Sequence, residues 1–311
     1  MLGVYLAVFI LFECVFRVLC FSGLVKFGKI DHEKIIHKYA QNPKLIYDMK
    51  PSFEMMSSHL KEIKTNRYGM RDYEYLKDKP QGVYRIAIVG DSLAFGTYLE
   101  HDLTFAKIFE RKLNQIKTAE VLNFSVSGYN AYQEEIVLKE KVPPFDPDLV
   151  IVAYCLNDDS YTDGLGKLSR QTAPAALGPR LHSKLLTFIL YRIEKTFFSK
   201  HRDPKKVEQL FRSLEEESKK HGYETLALIF PYKYTTMDEY DEIKKHQFVQ
   251  ELLSKYDIKW IDFLDVWRNR RPEEREKLYM TDDKVHLSRS GMADVGEKLY
   301  QCVLNACMVE Q

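Results

Sequence analysis

Apolar positions along this chain fall into two kinds of run, and the contrast between them sets the expected architecture. Short runs rich in β-branched residues read as strands: Arg85 to Val89, Val121 to Phe124, Leu149 to Tyr154, Leu226 to Phe230 and Ile258 to Phe263. Between them lie stretches with helical periodicity: His101 to Ile116, Tyr132 to Lys141, Leu181 to Phe198, Pro204 to His221 and Asp238 to Tyr256, with a last helix after Ser288. Strands apolar on both faces, alternating with helices, predict a mostly parallel five-stranded sheet covered on both sides. The class is α/β.

The first stretch is of the other kind. Met1 to Val25 is apolar almost throughout, broken by Glu13 and Arg17 at the i, i+4 spacing of a helical ion pair. A spanning helix needs about 20 apolar residues. The stretch is therefore expected to be a membrane-anchor helix with its charged pair toward one interface, a buried helix being the alternative. No basic region precedes it and no small-residue cleavage site follows it, which argues against a removed signal. Lys26, Lys29 and Lys34 would by the positive-inside rule keep the remainder in the cytoplasm. The expected division is a helix over 1–25, a connecting arm over 26–82 and a main domain over 83–307.

The arm holds too few apolar residues for a core of its own and carries the turn-rich piece Asn66 to Asp72. Composition narrows the partners. In 311 residues, 46 Lys plus Arg face 45 Asp plus Glu, a balance that gives no footprint for nucleic acid. Five cysteines form neither a zinc pattern nor a disulfide framework, and no His, Asp or Glu cluster has metal-ligand spacing. No metal is expected.

In a parallel sheet, sites form beyond the carboxyl ends of the strands. Ser92 lies just past the first strand, Ser127-Gly128 past the second and Asn157-Asp158 past the third. Asp283-Lys284-Val285-His286 lies in the loop before the last helix and can reach the same edge. The chemistry is set by residue type. A serine needs a base; histidine is the side chain whose unperturbed pKa lies closest to neutrality, so His286 can take its proton, and a carboxylate can hold the other ring nitrogen. The backbone N–H groups of Ser92 and Gly128 and the amide of Asn157 are candidate donors to an oxyanion. Asp282 is an alternative orienter for His286. Asp91 and Asp158 read as loop-holding residues. His101, His182, His201, His221 and His246 read as surface residues, and the stripe in Leu181 to Phe198 reads as the core face of a helix.

In order and type these segments resemble the SGNH, or GDSL, hydrolase family. The resemblance rests on Gly90-Asp91-Ser92, Gly128, Asn157-Asp158 and Asp283 to His286 followed by Leu287-Ser288, and it covers about residues 83 to 307. It implies a three-layer α/β/α flavodoxin-like fold and a serine-dependent hydrolytic mechanism without a cofactor. It also implies the triad Ser92, Asp283 and His286, with Asp283 favoured over Asp282 by family spacing, and an oxyanion hole of Ser92, Gly128 and Asn157. One departure stands out: the family usually has Gly two residues before the asparagine, where this chain has Cys155, an exchange expected to alter the local backbone approach. The Asn66 to Asp72 piece resembles an arm of membrane-anchored members with extracytoplasmic catalytic domains, and this resemblance, set above the lysines after the first helix, implies an extracytoplasmic catalytic domain here.

The resemblance thus implies an esterase acting on a short acyl ester, with an O-acetylated carbohydrate as the first expectation. An O-acyltransferase using the same triad on a glycan stays open, as does a non-catalytic binding protein that kept the fold. The nucleophile elbow Gly-x-Ser-x-Gly of another hydrolase class is absent around Ser92.

Overall fold

The computed structural model describes residues 2–22, 37–39, 42, 45, 47–56, 62–159 and 202–305. The expected helix over Leu181 to Phe198, and with it His182 and His201, lies outside them. The chain divides into two units, one made of 1–50 with 160–202 and the other of 51–159 with 203–311.

In the first unit, helix α1 runs Leu2–Phe21 and strands β1 (His37–Tyr39) and β2 (Tyr47–Met49) form an antiparallel hairpin. Glu13 and Arg17 pair at 2.7 Å, as their spacing predicts. Among the described residues, no helix is long and apolar enough to cross a membrane. The expectation of a spanning helix is corrected accordingly. The physical reason is the position of that pair: the unbroken apolar run ends at Phe12, about 18 Å of helix against a hydrocarbon core of about 30 Å.

The second unit opens with a small hairpin, β3 (Glu54–Met56) against β4 (Glu62–Lys64). Its main sheet is built from β5 (Tyr84–Gly90), β6 (Ala119–Asn123), β7 (Leu149–Cys155), β8 (Glu224–Phe230) and β9 (Lys259–Asp262). They stand in the order β6-β5-β7-β8-β9, and every pairing is parallel. The sheet is the expected one, with strand ends within two residues of the apolar runs. The helices are α2 (Ser92–Phe95), α3 (Phe105–Leu113), α4 (Ala131–Glu140), α5 (Pro204–His221), α6 (Ile243–Lys255), α7 (Phe263–Trp267), α8 (Pro272–Glu276) and α9 (Arg289–Asn305). The expected helix from His101 is split, because Thr104 caps α3 by accepting from Lys107 N and leaves His101–Leu103 as a short 3₁₀ turn.

Alternation along the strands feeds two cores. Ile86, Ile88, Val121, Ile151, Leu226 and Leu228 bury against Phe105 and Phe109 of α3 and Met292, Val295 and Leu299 of α9. Opposite them, α4 packs on α5, and Tyr154 of β7 meets Phe211 of α5 at 5.9 Å between ring centroids. Truncating one of these buried aliphatic side chains to Ala would cost about 2–5 kcal/mol. Chain order reverses around β5, since β6 lies on one side of it and β7 on the other. That switch point is where open α/β sheets place their ligands.

The piece from Asn66 to Asp72 belongs to this unit. Asn66 closes the turn, its Oδ1 accepting from the N–H groups of Tyr68 (3.0 Å) and Met70 (3.1 Å). His246 departs from the surface expectation. It is 2 % exposed and bonded to Asp262, because α6 turns it toward the end of β9.

Candidate active site

Strand β5 ends at Gly90, and the chain turns at once into α2. A Cβ on Gly90 would stand 3.0 Å from the carbonyl oxygen of Ala153 and 3.1 Å from Ala94 Cβ, so any side chain there would press β5, β7 and α2 apart by a few tenths of an ångström. Asp91 caps the turn, its Oδ1 accepting from Leu93 N at 2.9 Å. This places Ser92 in the first turn of α2, where its amide has no intrahelical acceptor.

The loop before α9 brings the other half. His286 Nε2 lies 2.8 Å from Ser92 Oγ, across 194 residues of sequence, and His286 Nδ1 lies 2.8 Å from Asp283 Oδ2. Asp283 is itself locked, since its Oδ1 accepts from Val285 N (2.7 Å) and His286 N (2.9 Å). Burial pushes the Asp283 carboxyl upward, but those two amides and the imidazole outweigh it and hold the pKa below the ordinary carboxylate value. The carboxylate therefore stays ionised, which favours the tautomer with a proton on Nδ1 and leaves Nε2 to accept from Ser92 O–H. Asp282, the alternative, sits exposed at φ +60° in the turn before it. Side-chain exposures of 19 % for His286 and 22 % for Asp283 leave the pair within reach of solvent.

The remaining predicted residues converge on the same turn. Val126 N donates to Gly90 O at 3.1 Å, so the loop after β6 runs alongside the end of β5. Two residues on, Gly128 takes φ +82°, a left-handed conformation that explains glycine at this place. Asn157 Nδ2 donates to Asp91 Oδ2 at 3.2 Å, tying the end of β7 to the serine turn. Burial raises the pKa of Asp91, and raises that of Asp158 well above the ordinary value. Asp158 closes the Asn157 turn by accepting from Cys155 N at 2.6 Å, while its own N–H donates to Cys155 O at 2.9 Å. Both aspartates thus hold loops, in line with the sequence reading. The Cys155 side chain points into the apolar core among Ala153 and Phe230, and burial holds its thiol neutral.

Two positions near the site went unread in the sequence. Tyr98 meets the His286 ring edge-on, with centroids 4.8 Å apart. Arg71, fully buried, donates to three carbonyls of the segment after Ser92. The only hint of Arg71 in the sequence is its place in the turn-rich Asn66 to Asp72 piece.

Residues 88–293, two thirds of the chain, match the GDSL-like Lipase/Acylhydrolase family. The chain belongs to that family. As a GDSL-family protein it is a serine hydrolase acting on ester bonds. Among solved structures it is similar to the acetyl xylan esterase AlAXEase, with a TM-score of 0.51 at 16% identity over 70% of this chain and 99% of that one. It is also similar to the esterase EstA from Pseudoalteromonas sp., with a TM-score of 0.45 at 14% identity over 71% and 97% of the two chains. An acetylxylan esterase from Geobacillus stearothermophilus gives 0.46 at 16% identity over 71% and 93%. At 16% identity the likeness to AlAXEase is one of fold. No curated protein matches the chain. Among the described residues, no group of His, Cys, Asp or Glu could hold a metal ion.

Proposed function

We propose that this GDSL-family hydrolase removes a short acyl group, an O-acetyl in the first instance, from a carbohydrate alcohol through an acyl-Ser92 intermediate. The observation that carries the reading is the unbroken chain of hydrogen bonds from Asp283 through His286 to Ser92, 2.8 Å at each imidazole nitrogen. As His286 Nε2 takes the hydroxyl proton, Ser92 Oγ attacks the acyl carbon. The Ser92 and Gly128 amides and the Asn157 side chain receive the oxyanion, each donor contributing about 3–4 kcal/mol in the transition state. Collapse returns the proton from His286 to the departing alcohol. Water, deprotonated by His286, then attacks the acyl carbon and releases the acid with Ser92 restored.

The choice of an acetylated carbohydrate rests on likeness in fold to an acetyl xylan esterase. A panel of acyl esters and acetylated glycans, tested on wild type and Ser92→Ala, decides it. Fastest turnover on acetylated glycans supports the reading, and turnover confined to long-chain esters overturns the acyl and alcohol assignments. The same triad would serve transfer to a glycan hydroxyl, and partition of the acyl-enzyme between water and an added glycan separates the two.

We further propose that α1 attaches the chain to a membrane surface and that the catalytic unit works outside the cytoplasm. Support for attachment is the apolar surface of α1, where Val4, Tyr5, Leu11, Phe12 and Val18 are each 60 % or more exposed. Placement outside the cytoplasm rests on the resemblance of the arm to those of anchored relatives. Co-flotation of the full chain with lipid vesicles, lost on deletion of residues 2–22, would bear out the first proposal. A C-terminal reporter active only in the cytoplasm would overturn the second.

A further inference from the structure

Arg71 is the most unusual charged group beside the site. It is 1 % exposed, and its guanidinium carbon lies 5.1 Å from the centre of the Phe95 ring. Its Nη1 donates to Phe95 O at 2.9 Å and Gly96 O at 2.7 Å, and its Nη2 donates to Leu99 O at 2.6 Å. Burying a guanidinium is costly unless its donors are satisfied, and here backbone carbonyls of one short segment, 95–99, take three of its bonds.

That segment touches the backbone of Ser92 and the side chain of His286. At its start, α2 opens on Ser92, whose carbonyl accepts from Gly96 N (3.1 Å) and Thr97 N (3.4 Å). In its middle, between the two carbonyls that Arg71 holds at Gly96 and Leu99, Tyr98 presents its ring to His286 at 4.8 Å and 87°. The neighbouring Asp72 extends the clamp. Its Oδ2 accepts from Asn123 N at 2.7 Å, and Asn123 Nδ2 donates to Ala94 O at 2.9 Å, joining the end of β6 to α2.

We propose that Arg71 is a positioning residue for the reaction. By holding 95–99 it fixes the Ser92 turn from behind and seats Tyr98 against His286, so that one buried group sets the register of nucleophile and base. The inference rests on the reading of Ser92 as nucleophile and His286 as base. Lysine cannot replace it, because a single ammonium lacks the planar fork that reaches three carbonyls at once.

The test uses the full chain and a fluorophosphonate that labels Ser92, with wild type, Arg71→Lys, Arg71→Ala and Tyr98→Leu compared across pH. In folded Arg71 variants the limiting labelling rate falls about 10–100-fold, the scale of a misplacement near 1 Å. Half-saturation stays within about twofold, since reagent binding is not what Arg71 serves. Added methylguanidinium restores part of the Arg71→Ala rate, and Tyr98→Leu shifts the pH profile of labelling. Folded Arg71 variants that label at the wild-type rate overturn the proposal. If the Arg71 variants do not fold, Tyr98→Leu decides, and an unchanged rate and pH profile there overturn it. Absence of labelling in wild type is a separate result that sinks the reading of Ser92 as nucleophile.

Discussion

The second unit contains two Asp–His–hydroxyl chains of nearly the same dimensions, and they are built for different ends. In one, Asp283 and Ser92 flank His286 at 2.8 Å on each side. In the other, Asp262 and the Tyr240 hydroxyl flank His246 at 2.8 and 2.7 Å. Accessibility separates them. His286 and Asp283 keep 19 % and 22 % of their side-chain surface, whereas His246 and Asp262 keep 3 % and 2 %. The hydroxyls differ too, for burial drives the Tyr240 phenol pKa far above its ordinary value. Asp262 spends its remaining capacity on Leu264 N and Gln250 Nε2, capping α7 and tying down α6. Hydrogen bonds of triad length therefore do not by themselves make a site. What sets the first apart is a primary alcohol at the switch point of the sheet, bonded to an imidazole that solvent can reach.

The sharpest way to break this contrast is to remove each hydroxyl's chemistry in turn. Ser92→Ala is expected to cut kcat on the order of 10⁵–10⁶-fold with folding intact, measured as ester hydrolysis against circular dichroism. Asp283→Asn should come next with about a 10⁴-fold loss in kcat, because the amide favours the wrong imidazole tautomer. At the other chain the effect moves from rate to stability. His246→Leu leaves Asp262 buried without its partner and is expected to cost about 3–5 kcal/mol in denaturant unfolding. The folded fraction should keep its wild-type kcat; a loss of kcat there would mean that the buried chain also serves the reaction. Tyr240→Phe is expected to cost about 1–3 kcal/mol, again with activity unchanged.

The smallest effect is in pH. Asp283 has a folded pKa below its unfolded value, so it binds fewer protons folded than unfolded near that range. Its stabilisation is present above about pH 4 and is lost as pH falls through the folded value. Asp283→Asn should flatten the acid limb of stability, by a small amount given the partial exposure of the group. An acid limb that is unchanged in that variant would assign it to other carboxylates.

Much of the fold, and the place of the candidate site residues in it, was legible in the chain. Strands buried on both faces become runs such as Leu149 to Tyr154, and a parallel sheet places the residues after each run on one edge. Ser92, Gly128, Asn157 and the Asp283 to His286 loop could therefore be gathered from order and residue type alone. The long helix α5 was legible to the residue, with Pro204 at its start and Gly222 in the left-handed conformation past its end. The expected membrane span failed because placing the Glu13–Arg17 pair toward one interface left only the 12 residues before Glu13 as an unbroken apolar run, too short to cross a bilayer.

Tertiary structure decided the rest, for one physical reason: a charged side chain carries no mark of its own burial. Arg71 in a turn-rich piece looks solvated until carbonyls 24 to 28 residues away close on it. His246 looks like a surface residue until Asp262, 16 residues on, meets its ring from the end of β9. Asp282 and Asp283 differ in sequence by one place, yet backbone geometry sends one to solvent and the other to the imidazole. Residue types and their order named the chemistry. Only the folded chain could say which polar groups face water and which are spent holding it together.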